Sequence, residues 1–146
     1  MTRFEWIRSE RMKIAVIGNH LPRRCGIATF TADLCDALAA ETGAGTEDLA
    51  VVAMDDVVEG YAYPLRVRFQ VRSNVPADYL RAAEFLNVQR FDLAVMQHEY
   101  GIFGGTQGAH ILQMIRNLRM PAITTLHTVL QDPTGEQLGI VKSLAE

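Results

Sequence analysis

Three short runs constrain this chain more than anything else in it. "MKIAVIG" (Met12–Gly18), "LAVVAM" (Leu49–Met54) and "FDLAVMQ" (Phe91–Gln97) are near-continuous apolar segments of strand length, spaced tens of residues apart. A strand exposed on one face alternates apolar with polar residues; a run without alternation reads as buried on both faces. Between these runs lie segments with helical spacing. From Gly26 to about Thr42 the apolar residues Ile27, Phe30, Leu34 and Leu38 recur at intervals of three and four, and "ETGAG" supplies the stop. "VPADYLRAAEFLNVQ" opens with Pro76 near a first helical position. A further helix is expected from about Gly108 to Leu118, where Pro121 prevents continuation, and another begins within "DPTGEQLGIVKSLAE".

Two more strands complete the pattern. "LRVRFQV" (Leu65–Val71) alternates and so reads as an edge or half-exposed strand, whereas "AITTLH" (Ala122–His127) is expected to be buried. Strands alternating with helices imply βαβ units. The expected class is therefore α/β, a Rossmann-like parallel sheet with helices on both faces. At 146 residues such a chain buries roughly 70% of its unfolded surface, enough for one core and not two. The expected boundaries are an N-terminal extension at 1–11 and one domain at 12–146, incomplete at its C-terminal end.

Charge and cysteine content narrow the function classes. A net charge of −3 gives no electrostatic case for nucleic acid as a partner. Cys25 and Cys35, ten positions apart on one expected helix, would lie about 15 Å apart, beyond disulfide reach. Free thiols fit a reducing, cytoplasmic setting. "MTRFEWIRSER" has no apolar core and does not read as a signal peptide, and no run approaches a membrane span.

In open α/β sheets ligands sit beyond the carboxyl ends of the strands. The loops "NHLPRRCGI", "HEYGIFGGTQG" and "HTVLQDP" leave such ends and hold most of the residues capable of chemistry. The first has neither G-x-G-x-x-G nor G-x-x-x-x-G-K-[ST]. It places Gly26 at a helix start, where a missing side chain either lets a phosphate reach the amides or merely permits close helix–strand packing. Arg23 and Arg24 either bind an anion or are simply solvated. Cys25 beside a helix N-terminus is a conceivable nucleophile with no catalytic partner evident nearby.

The second loop carries His98, Glu99 and Tyr100. "HEYGI" is not H-E-x-x-H, since Ile102 holds the second histidine position, and no metal-ligand spacing appears among the four histidines. Glu99 reads as a base, a hydroxyl-binding carboxylate, or a capping or surface residue. Gly101, Gly104 and Gly105 bring backbone close to whatever occupies the loop. His127 ends its strand as either a satisfied core residue or a ligand. His20 lies in the first loop and His110 on a helix face.

The segments "MKIAVIGNHLPRRCGIATFTADLCDAL", "FDLAVMQHEYGIFGGTQG" and "PAITTLHTVLQDPTGEQ" resemble the N-terminal domain of family 4 glycosyltransferases of the GT-B fold, from about Met12 onward. Such enzymes face two Rossmann-like domains across a cleft and move a sugar from a nucleotide-sugar to an acceptor hydroxyl with retention. The resemblance implies that Gly26 and Ile27 approach the donor diphosphate and that His127 is the catalytic-site histidine reaching the transferred sugar. It further implies that Arg24, Glu99, Tyr100 and Gly104 lie on the acceptor side. The donor is a nucleotide-sugar, the acceptor a sugar or lipid-linked hydroxyl, and no cofactor or metal is expected. The E-x7-E motif of the family's C-terminal domain does not follow. This implies an inactive acceptor-binding half that needs the other domain in cis or trans, with an interdomain face prone to self-association and a cytoplasmic or peripheral inner-membrane location. A stand-alone Rossmann-like binding module, or one half of a split transferase, is the alternative expectation.

Overall fold

The computed structural model describes residues 11–146, so the expected N-terminal extension lies, but for Arg11, outside the described residues. Five parallel strands form one sheet: β1 (Ile14–Gly18), β2 (Leu49–Asp55), β3 (Val67–Arg72), β4 (Leu93–His98) and β5 (Ala122–Leu126), in the order β3-β2-β1-β4-β5. β1 is central. Val16 stands opposite Val51 on one side and Val95 on the other, and every residue of β1 and β2 is buried. That is why neither strand shows alternation.

Successive residues of these strands feed opposite faces. Ile14, Val16, Leu49, Val51 and Ala53 pack with Cys35 and Leu38 of helix α1 (Gly26–Thr42). Ala15, Ile17, Val52, Met54 and Met96 pack with Tyr79, Ala82 and Leu86 of helix α2 (Pro76–Val88) and with Ile111 and Met114 of helix α3 (Ile111–Ile115). Helix α4 (Gly135–Ala145) closes the chain, started by Thr134 in a reciprocal capping box with Gln137. The expected Rossmann-like architecture with helices on both faces is therefore observed.

Local signals account for the helix ends. Pro76 occupies the first turn of α2, where its missing N–H costs nothing. Gly43, at φ 66, ends α1 by donating its N–H to the Ala39 carbonyl.

Three expectations need correction. The helix expected over Gly108–Leu118 is only the five-residue α3, preceded by a 3-10 turn at Thr106–Gly108. Gln107 and Gly108, at φ 53 and 81, lie in left-handed backbone that an α-helix cannot incorporate. Beyond its other end the Asn117 carbonyl accepts from the Asn87 side-chain amide of α2. β5, expected to be buried, is an edge strand with Ala122 and Ile123 exposed, because only β4 pairs with it. His98, placed in a loop by its sequence context, is the last residue of β4, opposite Leu126 and fully buried.

β1 leaves the sheet toward β2 through α1, whereas β4 leaves toward β5 on the opposite side. The carboxyl ends of β1 and β4 therefore flank a topological switch point, the place where open α/β sheets form a crevice. No described helix is long and apolar enough to cross a membrane.

Candidate functional site

The crevice is built from tight contacts at its floor. A β-carbon added to Gly18 would stand 3.0 Å from Gln97 Cβ and 3.5 Å from Thr31 Oγ1, so a glycine there lets β1, β4 and α1 close together. Asn19 and His20, the next two residues, are buried. Asn19 Nδ2 donates to Cys25 Sγ at 3.3 Å, and the same sulfur accepts the Ala28 N–H at 3.4 Å. Cys25 is thus the N-cap of α1, doing with a thiol what serine usually does.

The two loop arginines differ. Arg23 folds inward, donating to Asn19 Oδ1 at 3.1 Å and to the Met54 carbonyl at 3.2 Å while pairing with Asp56. It ties the first loop to the end of β2 rather than being merely solvated. Arg24 is exposed.

Close packing does not explain Gly26, because a β-carbon there would meet nothing within 4 Å. Cys25 claims the Ala28 N–H through its sulfur and the Thr29 N–H through its carbonyl. The Gly26 and Ile27 amides, first in the helix, have no carbonyl one turn back to bond. The resulting feature is an unobstructed helix N-terminus beside the crevice.

Across the switch point, β4 and β5 deliver His127, Gln97 and Glu99 together. The His127 N–H donates to the His98 carbonyl at 2.9 Å, extending the ladder by one residue. Its ring Nε2 lies 2.8 Å from Gln97 Oε1, and Phe30 of α1 meets the ring edge-on at 4.8 Å between centroids. One oxygen of Glu99 accepts the Tyr100 N–H at 2.9 Å and so caps a 3-10 turn at Tyr100–Ile102; the other accepts the Thr128 hydroxyl. Glu99 is therefore a cap, as one reading of the sequence held, and also a clasp between the loops after β4 and β5. Tyr100 packs edge-on against His98, 5.0 Å away.

Gly104 is placed differently from the other residues expected on the acceptor side. It is buried, and a β-carbon on it would lie 1.9 Å from the Ser73 carbonyl oxygen. Its N–H donates to the Tyr79 hydroxyl, which in turn donates to the Ser73 carbonyl. Gly104 is consumed by the corner between β3 and α2. His110, which immediately precedes α3, packs edge-on against Tyr79 at the same corner.

Several polar groups at the floor are buried without partners among the described residues: His20 Nε2, Thr31 Oγ1, Gln97 Nε2 and both ring nitrogens of His98. Burial lowers the pKa of both His20 and His98, favouring neutral rings. At the neighbouring end of β2, burial raises the Asp55 carboxyl, which accepts the Tyr63 hydroxyl at 2.7 Å. The Cys35 thiol beneath α1 is pushed up to about 11 by burial and is chemically quiet.

Two surface grooves lie on the described residues. One of about 570 Å3 borders the first loop and is lined by His20, Tyr63 and Arg66 among others. The other, about 650 Å3, runs between α2 and the segment after α3, lined by Glu84, Asn87, Arg116 and Arg119. Neither contains His127 or Glu99. Among the described residues no three of His, Cys, Asp and Glu gather as metal ligands.

Phe30, Gln97 and Thr128 join the site only in the structure. Phe30 reads as one more apolar helix position, yet it is 45% exposed and rests on His127. Gln97 carried a usable signal: a polar side chain ending an otherwise apolar strand. Thr128 carried none.

No family model and no curated protein matches this sequence.

Proposed function

We propose that this chain is the acceptor-side half of a retaining GT-B glycosyltransferase, binding at the β1/β4 switch point and inactive without a donor-binding domain. The observation that carries the reading is convergence. The three segments resembling that family, around Gly26, Glu99 and His127, meet at one crevice, with Phe30 of the first on His127 of the third and Glu99 of the second on Thr128. The open N-terminus of α1 supports a diphosphate approaching the Gly26 and Ile27 amides, since exposed first-turn donors and the helix dipole favour an anion. His127 and the Glu99 clasp border the same crevice as polar groups for a sugar, and Arg24 is free to meet charge from solvent. The contacts of Gly104 favour a structural role over acceptor binding.

Inactivity follows from the half-enzyme reading. Transfer of a sugar requires donor and acceptor held in register with water excluded, and an acceptor-side half alone supplies neither. Val129 is 80% exposed and Leu130 38%, just beyond His127, which supports an interdomain face covered by a partner domain or by self-association.

The test is a nuclear magnetic resonance titration of the 15N-labelled chain with UDP-glucose, GDP-mannose and ADP-glucose, alongside a sugar-transfer assay. Shifts confined to the Gly26–Thr29 amides and the residues around His127, with no turnover, are the expected result. No shift with any donor favours a binding module for another ligand. Turnover at enzyme-like rates overturns the inactive-half reading.

A further inference from the structure

We propose that Gln97 is a positioning residue for His127, holding Nε2 protonated so that Nδ1 keeps a free lone pair. Gln97 is fully buried, and its Cβ would stand only 3.0 Å from a β-carbon added to Gly18. Its amide oxygen sits 2.8 Å from His127 Nε2. A carbonyl oxygen accepts and never donates, so the imidazole nitrogen facing it carries the proton. In that tautomer the other ring nitrogen, Nδ1, keeps its lone pair.

The neighbours keep both the ring and its tautomer in place. The backbone of His127 is fixed by its N–H bond to the His98 carbonyl, and one edge of its surroundings is filled by Phe30. Gln97 offers the ring a single uncharged acceptor. The adjacent carboxylate, Glu99, already accepts from Tyr100 and Thr128, and the adjacent His98 is buried in a setting that disfavours charge.

The consequence for recognition rests on the glycosyltransferase reading; the tautomer does not. A lone pair at Nδ1 accepts a hydrogen bond, so the group it takes is a hydroxyl, as on a neutral sugar ring. The opposite tautomer would offer a donor suited to an anion.

Two-bond 1H–15N spectra of the chain labelled on histidine test this directly, with the His127 signals identified by their loss in His127→Asn. The expected wild-type pattern is a single Nε2–H tautomer. Gln97→Met, close in volume but lacking the acceptor, should give a mixture of both tautomers while the His20, His98 and His110 signals stay in place. Gln97→Glu should keep Nε2 protonated. A wild-type Nδ1–H pattern overturns the proposal, as does a folded Gln97→Met chain with an unchanged tautomer. If Gln97→Met does not fold, the wild-type and Gln97→Glu spectra still decide. A correct tautomer with no response of Nδ1 to UDP-glucose would leave the positioning role standing and remove the sugar reading.

Discussion

Gly104 and Ser73 touch where no other residue pair could: a β-carbon at position 104 would stand 1.9 Å from the Ser73 carbonyl oxygen and 2.7 Å from its carbonyl carbon. Both obstacles are backbone, which cannot rotate away. Gly104→Ala is therefore expected to cost about 2 kcal/mol or more, as overpacking against an unyielding wall does. Urea unfolding checks it, and a loss below half a kcal/mol would mean that the corner between β3 and α2 is looser than its geometry says.

Gly26 provides the contrast. Nothing stands within 4 Å of the position an alanine methyl would take, and alanine is the better helix former. Gly26→Ala should leave stability unchanged or raised by up to about 1 kcal/mol. The same methyl sits where a diphosphate would approach, so nucleotide-sugar titration shifts at the Ile27 amide should weaken at least several-fold. A stable variant with undiminished shifts would move the anion site away from the α1 N-terminus.

Asp78, in the first turn of α2, is the acceptor in a small network. Arg72 donates to its two oxygens at 2.7 and 2.9 Å, the Arg72 N–H adds a third bond, and Arg81 a fourth. The Asp78 side chain is 7% exposed but that of Arg72 is 54%, so water screens the ion pair and most of the value lies in the hydrogen bonds to the buried carboxylate. Asp78→Ala should cost about 1–3 kcal/mol. The bonds from Arg72 hold the carboxyl below its ordinary pKa of 3.8. Its stabilisation is thus complete above that pH and lost as acid takes the solution down through the lower folded-state value. Unfolding of the variant across pH 5 to 2 should show a shallower acid decline than the wild type.

His98 also weakens the fold toward acid, but in a higher pH range. Its folded-state pKa is lowered by burial, so the unfolded chain binds the proton more readily, and stability falls as pH drops through about 6.5. His20 behaves alike, each contributing a slope of at most about 1.4 kcal/mol per pH unit. Because neither ring nitrogen of His98 has a partner among the described residues, His98→Leu should be neutral or stabilising at pH 7.5 and should flatten the decline between pH 6.5 and 5. A loss above about 1 kcal/mol at pH 7.5 would show that the nitrogens are satisfied by ordered water.

The sequence by itself determined the elements whose signals are local. Apolar runs of strand length marked β1, β2 and β4; helical spacing between Cys25 and Gly43 marked the whole of α1; Pro76 marked the start of α2; and alternation marked β3 as an edge. Their order then imposed a parallel sheet and put the three polar loops at one edge. Tertiary structure alone decided what those loops do there. The late start of α3 follows from left-handed backbone at Gln107 and Gly108. The exposure of β5 depends on having one neighbour rather than two. The meeting of His127 with Gln97 and Phe30, and of Glu99 with Thr128, joins residues whose separation carries no periodicity, because those contacts are set by strand register and helix docking rather than by the local preferences a linear pattern records.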